Sequence, residues 1–563
     1  MRSKGPSVRP SVDLVVIGGG VNGTGVARDA ALRGLRVTLL ESNDLGFGAS
    51  GNSTGFVHGG PRYLTRDPGL TEELCRESGT IQRIAPHLVF RVPALLPVMT
   101  ADPWPRVWLT LLDAFFRAYD RYRNLKNSHR HLRLSAAELQ EIEPRLATGI
   151  QGGISFDECG IDGARLCIAN ALDAARHGAQ ILTHCAATAI LRNQEGRVTR
   201  VAGRDRISGE TVELRTEAVV AATGAWAPLT IRLAGIDSDH ARVRPGKGIH
   251  VYFGSQLASC AVITQAIDGR QVFVLPWQDW TVVGTTDDDY YGDLEDVVAT
   301  NDEVRYLLQA AARVLPGVLT ARPLGTWAGV RPTLYAWGPN EDALSRDHQI
   351  LDHAAQGVRG LYSMLGGKLS SYRLFAEQVT NQVATYLENQ VECRTHRRPL
   401  PGGEEPVDVA ALAEQGHIPT FVAQRLANRH GCSAMDIVRR IARHNRESAL
   451  VCNCEPVTEA EIRYAVRREF ARTVDDVARR TYLGRGPCGG MRCAARCGAI
   501  VAALTSRPAA EGLQMARDFV AQQARRRWPA MNPLSARQEA LIRASVRAEL
   551  DTRDAQVSCA RWW

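Results

Sequence analysis

The chain has 563 residues, 45% hydrophobic and 23% charged, with a formal net charge of +8 at pH 7 and a pI near 8.9. That is globular composition on a length that implies several domains, and it excludes a disordered chain or a membrane bundle. The basic residues are dispersed and form no nucleic-acid-binding module, so the charge suits an anionic small molecule or an acidic membrane surface better than nucleic acid.

Residues 1–12 carry charge without an apolar segment, and no apolar run of about eighteen residues follows, so the expected place is the cytoplasm or the inner face of the cell membrane. Leu14 to Ile17 is a β-branched apolar run of the kind buried on both faces of a parallel sheet. Gly18, Gly20 and Gly23 follow as G-x-G-x-x-G. They permit a tight turn, close approach of backbone to a pyrophosphate, and close packing of helix on strand. Val37 to Leu40 reads as the second strand, and Glu41 stands where a carboxylate accepts from a ribose 2′-hydroxyl. This is a dinucleotide-binding βαβ unit, with NAD and FAD both open at this point.

Asp44 to Leu64, DLGFGASGNSTGFVHGGPRYL, is too rich in glycine and hydroxyls for core and reads as a loop wrapping a ligand. The glycine turn, the S-T before H-G-G-x-R-Y-L and the later motifs together resemble the FAD-dependent glycerol-3-phosphate dehydrogenases, over roughly residues 12–385. The resemblance implies FAD and an α/β fold. A glutathione-reductase-like FAD domain (about 12–90, 150–240 and 329–390) would be joined by an antiparallel-sheet substrate domain (about 91–149 and 241–328), the whole region covering 12–395. Two departures stand out: Pro61 occupies a position often aliphatic in that family, and Gly55 one where many members carry lysine.

From Trp104 to Arg123 an amphipathic helix is expected, with Trp108, Leu111, Leu112, Phe115 and Tyr119 on one face and five Lys or Arg between Arg121 and Ala137. Such a stripe is core, or a helix lying in a membrane interface. Ser135 and Glu138 make a capping box for the next helix. GIDGARL, 160–166, opens a helix to about His177; a strand pair follows around 181–191 and 198–201, then a nucleotide strand at 218–222 closing in Thr223 and Gly224. GKGIH (246–250), FVLPW (273–277) and VGTTD (283–287) belong to a strand-rich section. GVRP (329–332), SRD (345–347) and GGKLSSYRLFAEQV (366–379) return to the flavin domain, the last as a glycine turn into a helix. Residues 396–406, rich in Pro and Gly, read as a linker, followed by a helical connector at 407–448 and, after the cysteine segment, a helical tail over 506–563.

Oxidising an alcohol by hydride loss to flavin requires a base and cations for a phosphate dianion. Carried over from the resemblance, Arg62, Tyr63, Arg331, Arg346 and Lys368 are candidate anion holders, and His250 and His58 candidate bases. Gly18, Gly20, Gly23, Glu41, Ser53, Thr54, Thr223, Gly224, Gly367 and Leu369 are the candidate FAD contacts. The substrate implied is sn-glycerol 3-phosphate, with a quinone or electron-transfer subunits as acceptor. An amine or amino acid substrate on the same fold, and a non-enzymatic redox-responsive metal-binding module, are the competing readings.

Cys452 and Cys454, with Cys488 and Cys493, lie in a segment (449–505) that resembles the bacterioferritin-associated-ferredoxin type of [2Fe-2S] domain. Structural zinc is the alternative for four thiolates, and Cys497 a substitute ligand.

Overall fold

The computed structural model describes residues 7–8, 11–336 and 348–550, and every count of elements here refers to these residues. A six-stranded sheet runs in the order His348–Asp352, Leu361–Gly366, Ala218–Ala221, Leu14–Ile17, Val37–Leu40 and Gln180–Leu182, parallel except for the first strand. Leu14–Ile17, Val37–Leu40 and Ala218–Ala221 are buried at every position, as their uninterrupted apolar runs require of a parallel sheet covered on both faces. Helices Val21–Leu32, Gly163–Arg176 and Tyr372–Tyr386 pack against it. A four-stranded sheet, Ser7–Val8, Thr211–Arg215, Val198–Asp205 and Cys185–Arg192, lies beyond the expected strand pair.

The second large sheet has nine strands, with Pro323–Leu334 paired along the whole of Val243–Phe253. It corrects the sequence boundaries, because Ile150–Ile161 pairs antiparallel with Val89–Met99 here, and Arg331 of GVRP lies in its Pro323–Leu334 strand. The resemblance puts both segments in the flavin region, whereas cross-strand pairing holds them in the substrate sheet.

Two further expectations change. In the Pro105–Tyr119 helix the buried face is Leu109, Phe116 and Tyr119, while Trp108 and Leu111 are exposed and Leu112 and Phe115 half-buried. The stripe therefore divides between core and solvent. The 396–406 segment is packed rather than free: Leu400 is fully buried, its N–H donates to Ile84 O at 2.6 Å, and Gly402 O accepts from Cys432 N–H at 3.0 Å. Gly402 sits at φ +93°, and a Cβ there would collide with His430 O, so glycine serves close packing here rather than a hinge.

The C-terminal part is helical around two apolar cores, one built on Leu412, Val422, Leu426 and Ile437, the other on Ile462, Val474, Cys497 and Phe519. Helices Ala509–Arg527 and Pro533–Leu550 complete it.

Candidate active site and cysteine centre

The glycine turn is held by close backbone approach. Gly18 has φ +112°, and a Cβ there would reach Ala222 C at 2.9 Å, so the 222–224 segment lies directly on the turn. Glu41 Oε2 accepts from Gly19 N–H at 2.6 Å and Oε1 from Asn43 N–H at 2.7 Å, while burial raises its carboxyl above the usual range. Val21 N–H, at the start of the first helix, donates to Ser50 Oγ at 3.0 Å. Ser50 is a contact the sequence reading missed. Gly367, at φ +89°, faces the same helix start, since a Cβ on it would lie 3.6 Å from Asn22 Nδ2. Gly18, Gly20, Glu41, Thr223, Gly224 and Gly367 thus come together around one helix N-terminus, where amide dipoles favour an anion. Ser53 serves the turn itself, accepting from Gly55 N–H at 3.2 Å. Leu369 begins the short turn Leu369–Ser371 and is half-buried. At Gly55 φ is +70°, and a Cβ would lie 2.9 Å from the Trp277 ring, so no long side chain can replace this glycine.

Two groups of candidates meet beyond the turn. In the first, His250 is buried between two neighbouring strands, facing Gly284 in one and Trp327 in the other. Its ring stacks on Trp327 at 5.1 Å, and its Nε2 lies 2.9 Å from Thr54 Oγ1. His250 Nδ1 and Trp327 Nε1 are buried without hydrogen-bond partners among the described residues. Burial, reinforced by the Arg331 guanidinium, pushes the imidazole down to about 3, so it is neutral near pH 7. Arg331 reaches Asp287 Oδ1 at 2.8 Å and Thr285 Oγ1 at 2.9 Å. Its guanidinium lies over Gly248, where a Cβ would come within 2.7 Å of Nη1.

In the second group, Arg62 and Lys368 both sit over the Tyr63 ring, at 5.1 and 4.5 Å. His58, half-buried, is tied to this group by its backbone, its carbonyl accepting from Ser370 Oγ at 3.1 Å. Beneath the loop, Lys126 Nζ donates to Glu158 Oε1 at 3.0 Å, and Glu158 Oε2 accepts from Gly59 N–H at 3.1 Å. Arg346 lies outside the described residues. A small cleft opens beside the first group, lined by Phe47, Asn52, Trp226, Trp327, Gly329 and Arg526 among others.

Trp327, Asp287, Lys126 and Glu158 were not singled out from sequence. Trp327 stands in the G-T-W-A-G-V-R run two positions before GVRP, but which face it presents depends on strand register, which no local pattern encodes.

The four cysteines lie close to one another. Cys452 is hydrogen-bonded to Cys493, and that bond, with backbone amides of Gly484, Glu455 and Cys454, brings its thiol down to about 6. Cys454 faces Cys488, and burial with the charge of that neighbour pushes it up to about 11. Gly486 presses on Cys454, a Cβ there reaching its Sγ at 3.0 Å. Cys497 is fully buried in the helical core. Elsewhere, Glu377, Cys393 and His396 bring their donor atoms within 4.8 Å of one another, but Arg373 Nη1 donates to Glu377 Oε2 at 2.5 Å, making that corner an ion-paired one.

The family described as "FAD dependent oxidoreductase" matches residues 13–373, and the one described as "C-terminal domain of alpha-glycerophosphate oxidase" matches residues 393–507. The second match spans the packed segment, the connector and the cysteines as one unit. One subunit of the anaerobic glycerol-3-phosphate dehydrogenase of Escherichia coli is 30% identical over 528 residues, covering 93% of each chain. Glycerol-3-phosphate dehydrogenase 1 of Mycobacterium tuberculosis is 35% identical over 505 residues, 85% of this chain and 92% of the relative. In fold, the glycerol-3-phosphate dehydrogenase from Bacillus halodurans, solved with FAD, superposes with a TM-score of 0.72 at 24% identity, covering 93% of this chain and 97% of that one.

Proposed function

The chain belongs to the FAD-dependent glycerol-3-phosphate dehydrogenases, and we propose that His250, Arg331 and the Arg62–Tyr63–Lys368 group carry the oxidation of sn-glycerol 3-phosphate to dihydroxyacetone phosphate. Membership sets aside the reading as a binding module without catalysis. The single observation that carries the assignment is the neutral, buried His250 with an unsatisfied Nδ1 beside the Arg331 guanidinium. A buried polar atom left without a partner is costly, and a ligand hydroxyl is the natural complement.

The residues present fit FAD: the glycine turn leaves room for a pyrophosphate, and a carboxylate stands at the end of the second strand. When bound, FAD supplies the acceptor for the substrate's hydride. The chain's own residues do the rest. His250 Nε2 is within hydrogen-bond distance of Thr54 Oγ1, and in the tautomer with the proton on Nε2 the Nδ1 lone pair takes the hydroxyl proton. Arg331, Arg62 and Lys368 hold the phosphate, a dianion whose charge favours the protonated imidazole and raises its basicity when substrate is in place. The stacked Trp327 ring keeps water from the imidazole and holds its plane.

Four thiolates at Cys452, Cys454, Cys488 and Cys493 are the proposed holders of a [2Fe-2S] cluster, which would carry electrons on toward a partner subunit or a quinone. The gathering of these four thiols supports this. Structural zinc, which four thiolates also suit, is the competing metal. No helix among the described residues is long and apolar enough to cross a membrane. Peripheral contact is proposed for the Pro105–Tyr119 helix and the Trp104 that precedes it, which expose Trp104 (80%), Trp108 and Leu111 in the same region as the arginines of 121–133.

The test is anaerobic bleaching of the flavin by sn-glycerol 3-phosphate in wild type and His250→Asn, with glycine and proline as competing substrates. Bleaching by the amino acids and not by the phosphate would move the enzyme to the amine-oxidising reading.

A further inference from the structure

Arg527, the last residue of the Ala509–Arg527 helix, is only 3% exposed, yet its Nε and Nη1 donors have no hydrogen-bond partner among the described residues. Its Nη2 lies 3.1 Å from Glu539 Oε2. That ion pair answers the charge of the guanidinium, but each buried N–H left without an acceptor still carries a desolvation cost that a further anionic group would offset. The side chain lies flat on the turn between two proposed cluster ligands: a Cβ on Gly489 would collide with its Nη1 and would stand 3.3 Å from its Cζ. Gly489 directly follows Cys488 and has φ +57°, so glycine is needed there both for conformation and for the approach of the guanidinium. On its other side Arg527 packs its Cγ against the Gly325 position, 3.1 Å from where a Cβ would be, in the strand that carries Trp327 and Arg331. It also stands near Tyr252, whose hydroxyl donates to Arg485 O at 3.3 Å.

The other charged groups at this turn do not answer the unmet donors. Arg485 lies over Tyr482 at 4.5 Å, and Glu455 accepts from Arg429 Nη2 at 3.1 Å. We infer that Arg527 is a positioning cation for the anionic centre held by Cys452, Cys454, Cys488 and Cys493, placed to stabilise its reduced, more negative state. The inference rests on the iron–sulfur reading of those cysteines. It explains why a helix beyond the 393–507 family match returns to the cysteine turn, and why a guanidinium is buried between that turn and the substrate sheet. The reduced centre carries one more negative charge than the oxidised one, so a fixed cation at the same distance from both favours reduction.

The experiment is a redox titration of the cluster's visible and EPR signals in the full chain, purified without oxygen, comparing wild type with Arg527→Leu, Arg527→Lys and Gly489→Ala. Arg527→Leu should shift the reduced-to-oxidised ratio at a given potential at least tenfold toward oxidised, a fall of about 59 mV in midpoint potential for a one-electron couple. Gly489→Ala, which forces the guanidinium off the turn, should lower the potential as well, and Arg527→Lys should restore most of the shift. Flavin bleaching by sn-glycerol 3-phosphate should be the same in all four proteins. Clusters of wild-type content with an unchanged midpoint potential in Arg527→Leu and Gly489→Ala would overturn the role of Arg527 while leaving the cluster reading intact. Wild-type protein without iron and acid-labile sulfide would overturn the cluster reading itself, and this inference with it. If Arg527→Leu loses the cluster on purification, the comparison of Gly489→Ala with Arg527→Lys carries the decision.

Discussion

Asp44 and Arg480 are joined by two hydrogen bonds of 2.6 and 2.8 Å across 436 residues, both side chains buried. Asp44 begins the loop that wraps the glycine turn, and Arg480 lies on the Val474–Thr481 helix that leads into the cysteine turn. Arg479 Nε adds a third donor to the same carboxylate at 3.0 Å. The flavin region and the C-terminal helices are therefore clamped at the point where the cofactor loop starts. Arg480→Met should cost about 3–5 kcal/mol, because it leaves part of a buried carboxylate's charge unanswered, and the double variant Asp44→Asn/Arg480→Met should recover part of that loss. Denaturant unfolding of wild type, the two single variants Asp44→Asn and Arg480→Met and the double variant decides it, and FAD retention on gel filtration should fall in parallel with stability.

Such a clamp could not be read from sequence, because nothing local to DLGFG announces an arginine 436 positions away. What was legible was local. The G-x-G-x-x-G turn, its flanking strands and the Ser135–Glu138 capping box are set by short-range sterics and hydrogen bonds, and they stand where the residues put them. His250 was legible as a residue type in KGIH, but its neutrality was not, since that follows from Gly284 and Trp327 facing it across two strand pairings. The Pro105–Tyr119 helix carried apolar residues over more than half its circumference, so periodicity could not say which face would be covered. Arg346 falls outside the described residues, and its role as an anion holder stays a proposal of the resemblance.

Arg331 should contribute to substrate use through a charge-assisted bond to phosphate. Arg331→Ala and Lys368→Ala should each lower kcat/KM for sn-glycerol 3-phosphate by tenfold or more, corresponding to about 1.5–3 kcal/mol. The loss should appear in KM as well as kcat, since the phosphate is held in both ground and transition states. Steady-state kinetics with a dye acceptor give the answer, and wild-type values in both variants would remove these two residues from the anion site.

The pH dependence of stability has a definite sign. Burial and the nearby Arg165 push His87 down to about 3, from an ordinary histidine value near 6.5. The unfolded chain takes up a proton at His87 below about pH 6.5 that the folded chain refuses, so stability is lost as pH falls from there toward 3. At pH 5 the loss attributable to this one ring is about 2 kcal/mol. His87→Gln should flatten the change in unfolding free energy between pH 7 and pH 5 by about that amount. An identical slope in wild type and variant would mean that His87 is protonated in the folded protein.

Membrane contact by the Pro105–Tyr119 helix has its own test. Trp104 and Trp108 are exposed, so replacing both with serine removes little that the fold depends on. Each buried ring should contribute at least ~1.5 kcal/mol to partitioning into an interface, so the double variant should pellet with anionic vesicles at least tenfold less than wild type. Raising the salt should weaken wild-type binding as well, since the arginines nearby act through a screened field. Wild type that stays in the supernatant would remove the membrane role from this face.

Substrate oxidation and onward delivery of electrons should be separable, because the two groups of residues lie on different parts of the chain. His250, Thr54 and Arg331 belong to the substrate sheet and the flavin loop, whereas Cys488 and Cys493 sit on a glycine-rich turn of the helical part. If the proposed cluster is held there, Cys488→Ser should abolish its visible absorption and slow turnover with the natural acceptor while leaving anaerobic flavin bleaching by sn-glycerol 3-phosphate near wild type. Metal binding can supply much of a small domain's folding energy, so loss of the helical part is the competing explanation for slow turnover. The Asp44–Arg480 clamp separates the two. If the Val474–Thr481 helix unfolds, the flavin loop loses its anchor and FAD retention falls, whereas loss of the cluster alone leaves it unchanged. Analysis of wild-type protein for iron, acid-labile sulfide and zinc fixes the metal directly. One zinc lost in Cys488→Ser, with no iron in wild type, would make the cysteine turn a structural site and end the electron-relay proposal.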